Sequence, residues 1–118
     1  MNSKEILEIA VRAADSKRAE DIIALDVREV SLLADYFVVM QGGSKRQMDA
    51  ILEEIMEKEE DAGITVKRVE GKNSDKWVLL DLGDVVVNIF NPEERAYYNL
   101  EKLWANAENV DLTAWIEA

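Results

Sequence analysis

The chain has 118 residues, contains neither cysteine nor histidine, and carries 25 acidic against 14 basic residues, for a net charge of −11. The missing residue types exclude disulfides, Cys–His and Ser–His–Asp catalysis, and thiolate or imidazole metal sites. The negative charge disfavours extended contact with nucleic-acid phosphates and favours a basic partner surface. Without a leader segment or an apolar run near the ~18 residues of a membrane helix, the sequence predicts one soluble, cytoplasmic domain spanning residues 1–118.

The N-terminal part predicts a helix followed by two strands. Asn2 and Glu5 have the spacing of a capping box, and the apolar stripe after them predicts a helix that ends near Ser16. Apolar, β-branched runs at 21–27 and 36–40 predict two strands. We expect the first of these strands to be well buried.

The longest helix is predicted to begin at Ser44, which forms a second capping-box pattern with Gln47, and to end at a C-capping Gly63. Its apolar stripe consists of Met48, Ile51, Leu52, Ile55 and Met56. Its solvated acidic face is predicted to consist of Asp49, Glu53, Glu54, Glu57, Glu59 and Glu60. An alternating strand at 64–69 and a polar, mobile loop at 70–75 are predicted to follow the helix.

Two apolar runs around Gly83-Asp84 predict a β-hairpin with a two-residue turn. Because side chains alternate along a strand, the register predicts which residues share a face. One face is purely aliphatic, with the facing pairs Leu82 and Val85, Leu80 and Val87, and Val78 and Ile89. The other face, here called the mixed face, carries Trp77, Leu79, Asp81, Val86, Asn88 and Phe90. The aliphatic face is predicted to be core, whereas the mixed face is either covered by helices or open to another protein.

The last part of the chain predicts a long helix and a short docked segment. Asn91 has the position of an N-cap and Pro92 that of the first helical residue. The buried stripe of this helix is predicted to consist of Tyr97, Leu100, Leu103 and Trp104. The terminal segment is predicted to dock through Val110, Leu112, Trp115 and Ile116. The order of elements predicts an α/β fold, a single-domain mixed β-sheet with flanking helices.

The glycine-rich turn at 42–44 is the sharpest candidate for chemistry. A turn of this kind between a strand and a helix lets backbone amides approach a phosphate, as in the Gly-Ser signature of nucleotidyltransferases. That chemistry also needs clustered carboxylates to hold divalent ions. In the nucleotidyltransferase superfamily these lie on the strand after the helix, spaced Asp-x-Asp, where this sequence has Lys67 and Arg68. Asp81 and Asp84 flank a different turn. We therefore expect a structural turn and a capping serine, with no catalytic residue, metal or cofactor.

Several strings of residues are shared, in the same order, with a known family. They are 33–39 (LADYFVV), 42–47 (GGSKRQ), 70–71 (EG), 77–87 (WVLLDLGDVVV) and 91–104 (NPEERAYYNLEKLW). On these strings the chain resembles, over nearly its whole length, the Iojap family, whose bacterial members are the ribosomal silencing factors. Family members resemble nucleotidyltransferases in fold but lack the catalytic acids. Where the family often has histidine, this chain has Asn88 and Asn91, so no role of those histidines carries over.

The resemblance implies a translation repressor that binds large-subunit ribosomal protein fourteen and sterically blocks joining of the ribosomal subunits, without catalysis. We expect the mixed face to make the contact, with Trp77, Leu79 and Asp81 at its centre. The residues expected beside them are Lys76, Val86, Asn88 and Phe90, and the weaker candidates on the last helix are Tyr98 and Asn99. The same face could form a homodimer in the absence of ribosomes. A metal-dependent nucleotidyltransferase-like enzyme and a general protein-interaction module are the alternatives.

Overall fold

A computed structural model describes residues 1–116, which form a six-stranded mixed sheet with helices on both faces. In chain order the elements are α1 (Ser3–Ser16), β1 (Glu20–Asp26), β2 (Tyr36–Gln41), α2 (Lys45–Asp61), β3 (Arg68–Glu70), β4 (Trp77–Asp81), β5 (Val85–Phe90), α3 (Pro92–Tyr98), α4 (Leu100–Leu103) and β6 (Glu108–Asn109). The strand order is β3-β4-β5-β2-β1-β6. Strands β2 and β5 are parallel and the other neighbours are antiparallel, which confirms the predicted mixed sheet.

Both long helices begin with the predicted caps, although the second capping box is only half formed. The Asn2 side chain accepts from the Glu5 amide and the Glu5 carboxylate accepts from the Asn2 amide, so the first box is complete. Ser44 caps α2 by accepting from the amide of Gln47. The Gln47 side chain accepts from Gly43 at 2.7 Å instead of from Ser44, and it donates to the Arg18 carbonyl.

The aliphatic face of the hairpin is core, as predicted, and α1 and α2 cover it. Fully or almost fully buried on this face are Val78, Leu80, Leu82, Val85, Val87 and Ile89. They form one cluster with the apolar stripes of the two helices. Truncation of a fully buried leucine in such a cluster costs about 2–5 kcal/mol of stability, so this layer fixes the sheet.

Glu59 lies inside this core, so its assignment to a solvated face is wrong. It follows Ile55 by four residues and therefore continues the buried stripe of α2. Its side chain is fully buried, and neither carboxyl oxygen has a hydrogen-bond partner. Burial disfavours the charged form and raises the pKa of Glu59 to about 8.

The hairpin has the predicted register. Trp77 faces Phe90, and Leu79 faces Asn88. Gly83 adopts a φ of +94°, which favours glycine, and the turn is closed by a hydrogen bond from the Leu82 amide to the Val85 carbonyl. The turn therefore holds two residues, as predicted.

The strand predicted at 64–69 is shorter and lies further along the chain, at β3. Ile64 and Val66 pack against the core from an irregular segment. The alternating pattern of this segment therefore reflects burial of these two side chains and does not indicate pairing with another strand. Only three residues, Arg68–Glu70, pair with β4. This strand forms one edge of the sheet.

The last helix is broken, which corrects the predicted continuous helix. Asn99 has a left-handed backbone (φ 47°, ψ 56°) and separates α3 from α4. The break shifts the helical phase between Tyr97 and Leu100, so these two residues do not share one helix face. Tyr97 is 80% exposed and does not belong to a buried stripe. Leu100 is buried as predicted. The side chain of Leu103 lies outside the described part of the structure.

The C-terminal segment docks through its apolar residues, as predicted, and it adds an edge strand that was not predicted. Glu108–Asn109 pairs with the end of β1. Beyond it, Leu112 is buried in the core cluster, and Val110, Trp115 and Ile116 pack against that cluster. Within residues 1–116, the helices are too short or too polar to span a lipid bilayer.

Candidate functional site: the mixed face of the sheet

The mixed face is only partly covered, so neither of the two expectations for it holds completely. Its covered part is a small second core, in which Val39, Phe90 and Leu100 are buried and Phe37 and Trp77 pack against them. Helices α3 and α4 supply that cover. The side chains left half-exposed on the hairpin are those of Trp77, Leu79, Asp81 and Val86.

The Trp77 indole is held in one orientation by an amide and two aromatic rings. Its Nε1–H donates to Asn88 Oδ1 at 3.0 Å, and Asn88 Nδ2 donates to the Val38 carbonyl at 3.2 Å. The ring stacks on Phe90 with centroids 5.1 Å apart and meets Tyr98 at 4.9 Å. Aromatic pairs at these distances add about 0.5–1.5 kcal/mol beyond area burial. The half-exposed edge of the indole is therefore a rigid surface.

Two of the predicted contact residues are buried beneath this surface. Asn88 and Phe90 have no exposed area. The expectation that their side chains lie on an exposed face beside Trp77 is wrong, because α3 and α4 cover that end of the face. Both residues support the Trp77 ring from below, through a hydrogen bond and a stack respectively.

Asp81 and Lys76 lie at opposite ends of β4. Asp81 Oδ1 accepts from the Gly83 amide at 2.8 Å and thereby stabilises the hairpin turn. Its Oδ2 lies 3.7 Å from Arg68 Nε, in a pair that solvent screens because Arg68 is exposed. Lys76 is exposed next to Trp77. One acidic and one basic group thus flank the apolar centre formed by Leu79 and Val86.

A buried arginine positions the helix that carries Tyr98. Arg95 is almost fully buried, donates to Gln41 Oε1 at 3.2 Å, and lies 3.5 Å from Glu101 Oε1. These contacts connect α3 to β2 and to α4. Tyr98 is 45% exposed and its ring lies against that of Trp77. Asn99 is exposed at the helix break.

Sequence reasoning missed three exposed or half-exposed parts of this surface. Phe37 lies beside Val86 across the parallel β2–β5 pair, and its ring is 5.7 Å from that of Trp104. The alternation of β2 was a signal for Phe37, because it is out of phase with the buried Tyr36 and Val38. The most exposed large apolar residues are Leu32, Leu33 and Tyr97. The two leucines lie in the loop that joins the hairpin-turn end of the sheet, and Tyr97 lies beside Tyr98 at the other end. No periodic pattern marks the two leucines, because they lie in a loop.

The glycine-rich turn carries structural contacts. The Gly43 amide, one of the groups that a phosphate would use, is already bonded to the Gln47 side chain. A Cβ atom on Gly42 would lie 3.2 Å from Met48 Cγ, so this glycine allows close packing of the strand end on α2. Among residues 1–116, no group of three or more carboxylates is placed to hold a metal ion. These contacts agree with the expectation of a structural turn.

Comparison with known proteins assigns the family. All of residues 1–118 match the family described as "Ribosomal silencing factor during starvation", RsfS. The chain belongs to the RsfS family. It is 54% identical over 112 residues to the Bacillus subtilis protein named ribosomal silencing factor RsfS, covering 95% of both chains. The assignment confirms the resemblance stated from the sequence strings.

A plant relative and a crystal structure extend the comparison. The maize protein named "Protein Iojap, chloroplastic" is 38% identical over 111 residues, which are 92% of this chain and 48% of the maize protein. A crystal structure of a Chromobacterium violaceum protein superposes with a TM-score of 0.87 at 37% identity, covering 89% of this chain and 88% of that one. The mixed α/β fold is therefore shared within the family.

Proposed function

We propose that this protein is a translation repressor that binds the large ribosomal subunit through the exposed part of its mixed face. The observation that supports this most directly is a half-exposed apolar centre, Leu79 and Val86 beside the fixed Trp77 ring, on a member of a ribosome-silencing family. Rigid aromatic and aliphatic side chains of this kind are typical centres of protein interfaces. Their partner is proposed to be large-subunit ribosomal protein fourteen.

The charge of the chain supports a protein partner with a basic surface. A net charge of −11 repels ribosomal RNA phosphates, whereas it accelerates encounter with a basic ribosomal protein. The acidic face of α2 lies on the other side of the sheet from the mixed face, where it would stay in solvent. Binding in this orientation would place the body of the protein where the small subunit docks.

The proposed mechanism is steric occlusion. The occupied large subunit could not join a small subunit, and no chemical turnover would be required. In this account the protein is not an enzyme, and it acts in the cytoplasm, where free subunits meet. The expected likeness to nucleotidyltransferases without their carboxylates also stays a prediction, as does the single domain over residues 1–118. A homodimer through the same face is a further proposal for conditions without ribosomes.

The proposal is tested by mixing purified protein with separated ribosomal subunits on sucrose gradients. We expect co-sedimentation with large subunits and not with small ones, and a dose-dependent loss of joined ribosomes when both subunits are present. At higher salt we expect slower association with the large subunit, because salt screens the attraction between charges. Binding should persist, because the centre of the proposed contact surface is apolar. Unimpaired joining at full occupancy of the large subunit would contradict steric occlusion.

Calorimetry with magnesium and each nucleoside triphosphate tests the enzymatic alternative. We expect no binding, because the Gly43 amide is occupied and Lys67 and Arg68 stand where carboxylates would be needed. Tight, magnesium-dependent binding of a triphosphate would favour the alternative.

A further inference from the structure

The loop between β1 and β2 exposes two leucines almost completely. Leu32 is 104% exposed and Leu33 is 90% exposed. We call residues 28–35 the leucine loop. Large apolar side chains with this exposure, next to each other in sequence, are costly in water and indicate a contact surface when the backbone holds them in place.

Hydrogen bonds close the base of the leucine loop and hold its tip. The Val27 amide donates to the Asp35 carbonyl at 2.9 Å, and the Ser31 amide donates to the Val27 carbonyl at 2.8 Å. At the tip, the Leu33 amide donates to Ser31 Oγ at 3.1 Å. The side chain of Arg28 donates to both oxygens of Asp26, which lowers the pKa of that carboxyl and ties the loop to the end of β1.

The loop lies at the hairpin-turn end of the mixed face. The amides of Asp35 and Tyr36 both donate to the Asp84 carbonyl, at 2.7 and 3.1 Å. The next residue, Phe37, pairs with Val86. The leucine loop therefore enters β2 beside the half-exposed centre of the face, at the end opposite to the Tyr98 ring.

The charges around the loop select the kind of partner. Glu29 and Asp35 lie in the loop, and Asp84 adjoins its base. The nearby positive charges are Arg28, which is paired with Asp26, and Lys67, whose side chain lies over Gly83, so the loop keeps an excess of negative charge. Phosphate-rich RNA and anionic lipid would both be repelled. A second copy of this chain would bring the same carboxylates to this loop, so it fits this part of the surface less well than a basic protein does. A basic protein with an apolar recess fits both the leucines and the acidic rim.

We propose that Leu32 and Leu33 form a second contact with the same basic large-subunit protein that takes the mixed face. This inference rests on the proposed function and extends it to a part of the surface that lies outside the hairpin. The two contacts would fix the orientation of the protein on the subunit, because two separated contacts prevent rotation about either one.

The test is a binding titration of purified large subunits with three full-length proteins. They are the wild type, a Leu32→Ser, Leu33→Ser double variant, and a Leu32→Met, Leu33→Met double variant that keeps apolar volume. We expect the serine variant to bind about 10- to 100-fold more weakly and the methionine variant to bind within about threefold of wild type. Thermal unfolding of all three should coincide, because neither leucine is packed in the fold.

Three results would overturn this inference, and they are distinguishable. Equal binding of the wild type and the serine variant would refute the leucine contact while leaving the proposed function intact. A wild type that does not bind large subunits would refute the proposed function, and this inference with it. A concentration-dependent dimer in analytical ultracentrifugation that only the serine substitutions abolish, with unchanged subunit binding, would assign the leucines to self-association instead.

Discussion

Replacing Glu59 with glutamine should make the protein more stable at alkaline pH and leave it almost unchanged at acidic pH. The carboxyl is fully buried without a hydrogen-bond partner, and its pKa is raised from 4.5 to about 8. Between these two values the folded state keeps the proton and the unfolded state releases it. Stability therefore falls as pH rises through this window and becomes flat above it. Glutamine has nearly the same shape and no proton to lose.

The magnitude follows from the size of the shift. One pKa unit corresponds to about 1.4 kcal/mol, so the full shift sets an upper limit of about 5 kcal/mol. Glu59 lies in the last turns of α2, beside exposed Lys58 and Glu60, where local opening can hydrate the carboxylate. We therefore expect an effect of about 2–4 kcal/mol, which is a large part of the stability of a small protein.

The assay is urea unfolding followed by tryptophan fluorescence, at about pH 5 and about pH 8.5. Taking the difference between variant and wild type at each pH removes the contribution of the other carboxylates, because both proteins share them. A Glu60→Gln variant is the matched control, since it makes the same substitution at an exposed neighbour. Parallel stability profiles of the wild type and Glu59→Gln across this range would refute the reasoning.

Three further positions test the backbone around Trp77, the hydrogen bond to its indole ring, and the helix break at Asn99. Gly71→Ala should cost about 2 kcal/mol or more, because φ is +74° and the new Cβ would lie 2.5 Å from the Trp77 carbonyl oxygen; chemical denaturation measures this, and an unchanged midpoint would contradict it. Asn88→Ala should cost about 1–3 kcal/mol by leaving the indole N–H unpaired, and the cost should be smaller in a Trp77→Phe background, as a double-mutant cycle would show. Asn99→Ala should cost about 1 kcal/mol at its left-handed position whereas Asn99→Gly should not, and equal melting temperatures for the two would count against the observed helix break.

The sequence predicts the hairpin in detail because two independent signals agree there. Alternation sets the faces, and Gly83 sets the turn, so a shift of one residue would move every aliphatic side chain into solvent. The helix caps at Asn2, Ser44 and Asn91 could also be predicted, because each depends only on a side chain and on an amide three residues away. Features governed by such short-range bonds can be read without knowing the tertiary structure.

Features that depend on long-range packing could not be predicted in this way. Asn99 is tolerated inside a helix and in a left-handed turn. Long-range contacts favour the turn here, among them the packing of Leu100 against Val39 and Phe90. Glu59 was assigned to solvent by its charge, although its spacing from Ile55 placed it on the buried stripe. The short strand β6 consists of two polar residues, so neither composition nor alternation marks it.

The same limit applies to the candidate site. Register alone placed Trp77, Leu79 and Asp81 on one face, and the structure places them there. Register could not show that α3 and α4 bury Phe90 and Asn88 on that face, because the strand sequence does not reveal where a separate helix packs. It also could not find Leu32 and Leu33, whose exposure depends on the closed base of a loop.

The most direct test of the proposed docking surface compares two half-buried apolar residues on opposite sides of the sheet. Leu79 lies on the mixed face, whereas Met56 packs on the core from α2. Serine at either position should lower stability by a similar amount, about 1 kcal/mol, so that folding is matched. In a binding titration with purified large subunits, we predict that Leu79→Ser loses at least about tenfold in affinity while Met56→Ser binds as wild type does. If Leu79→Ser binds as tightly as Met56→Ser, the mixed face is not the surface that contacts the ribosome.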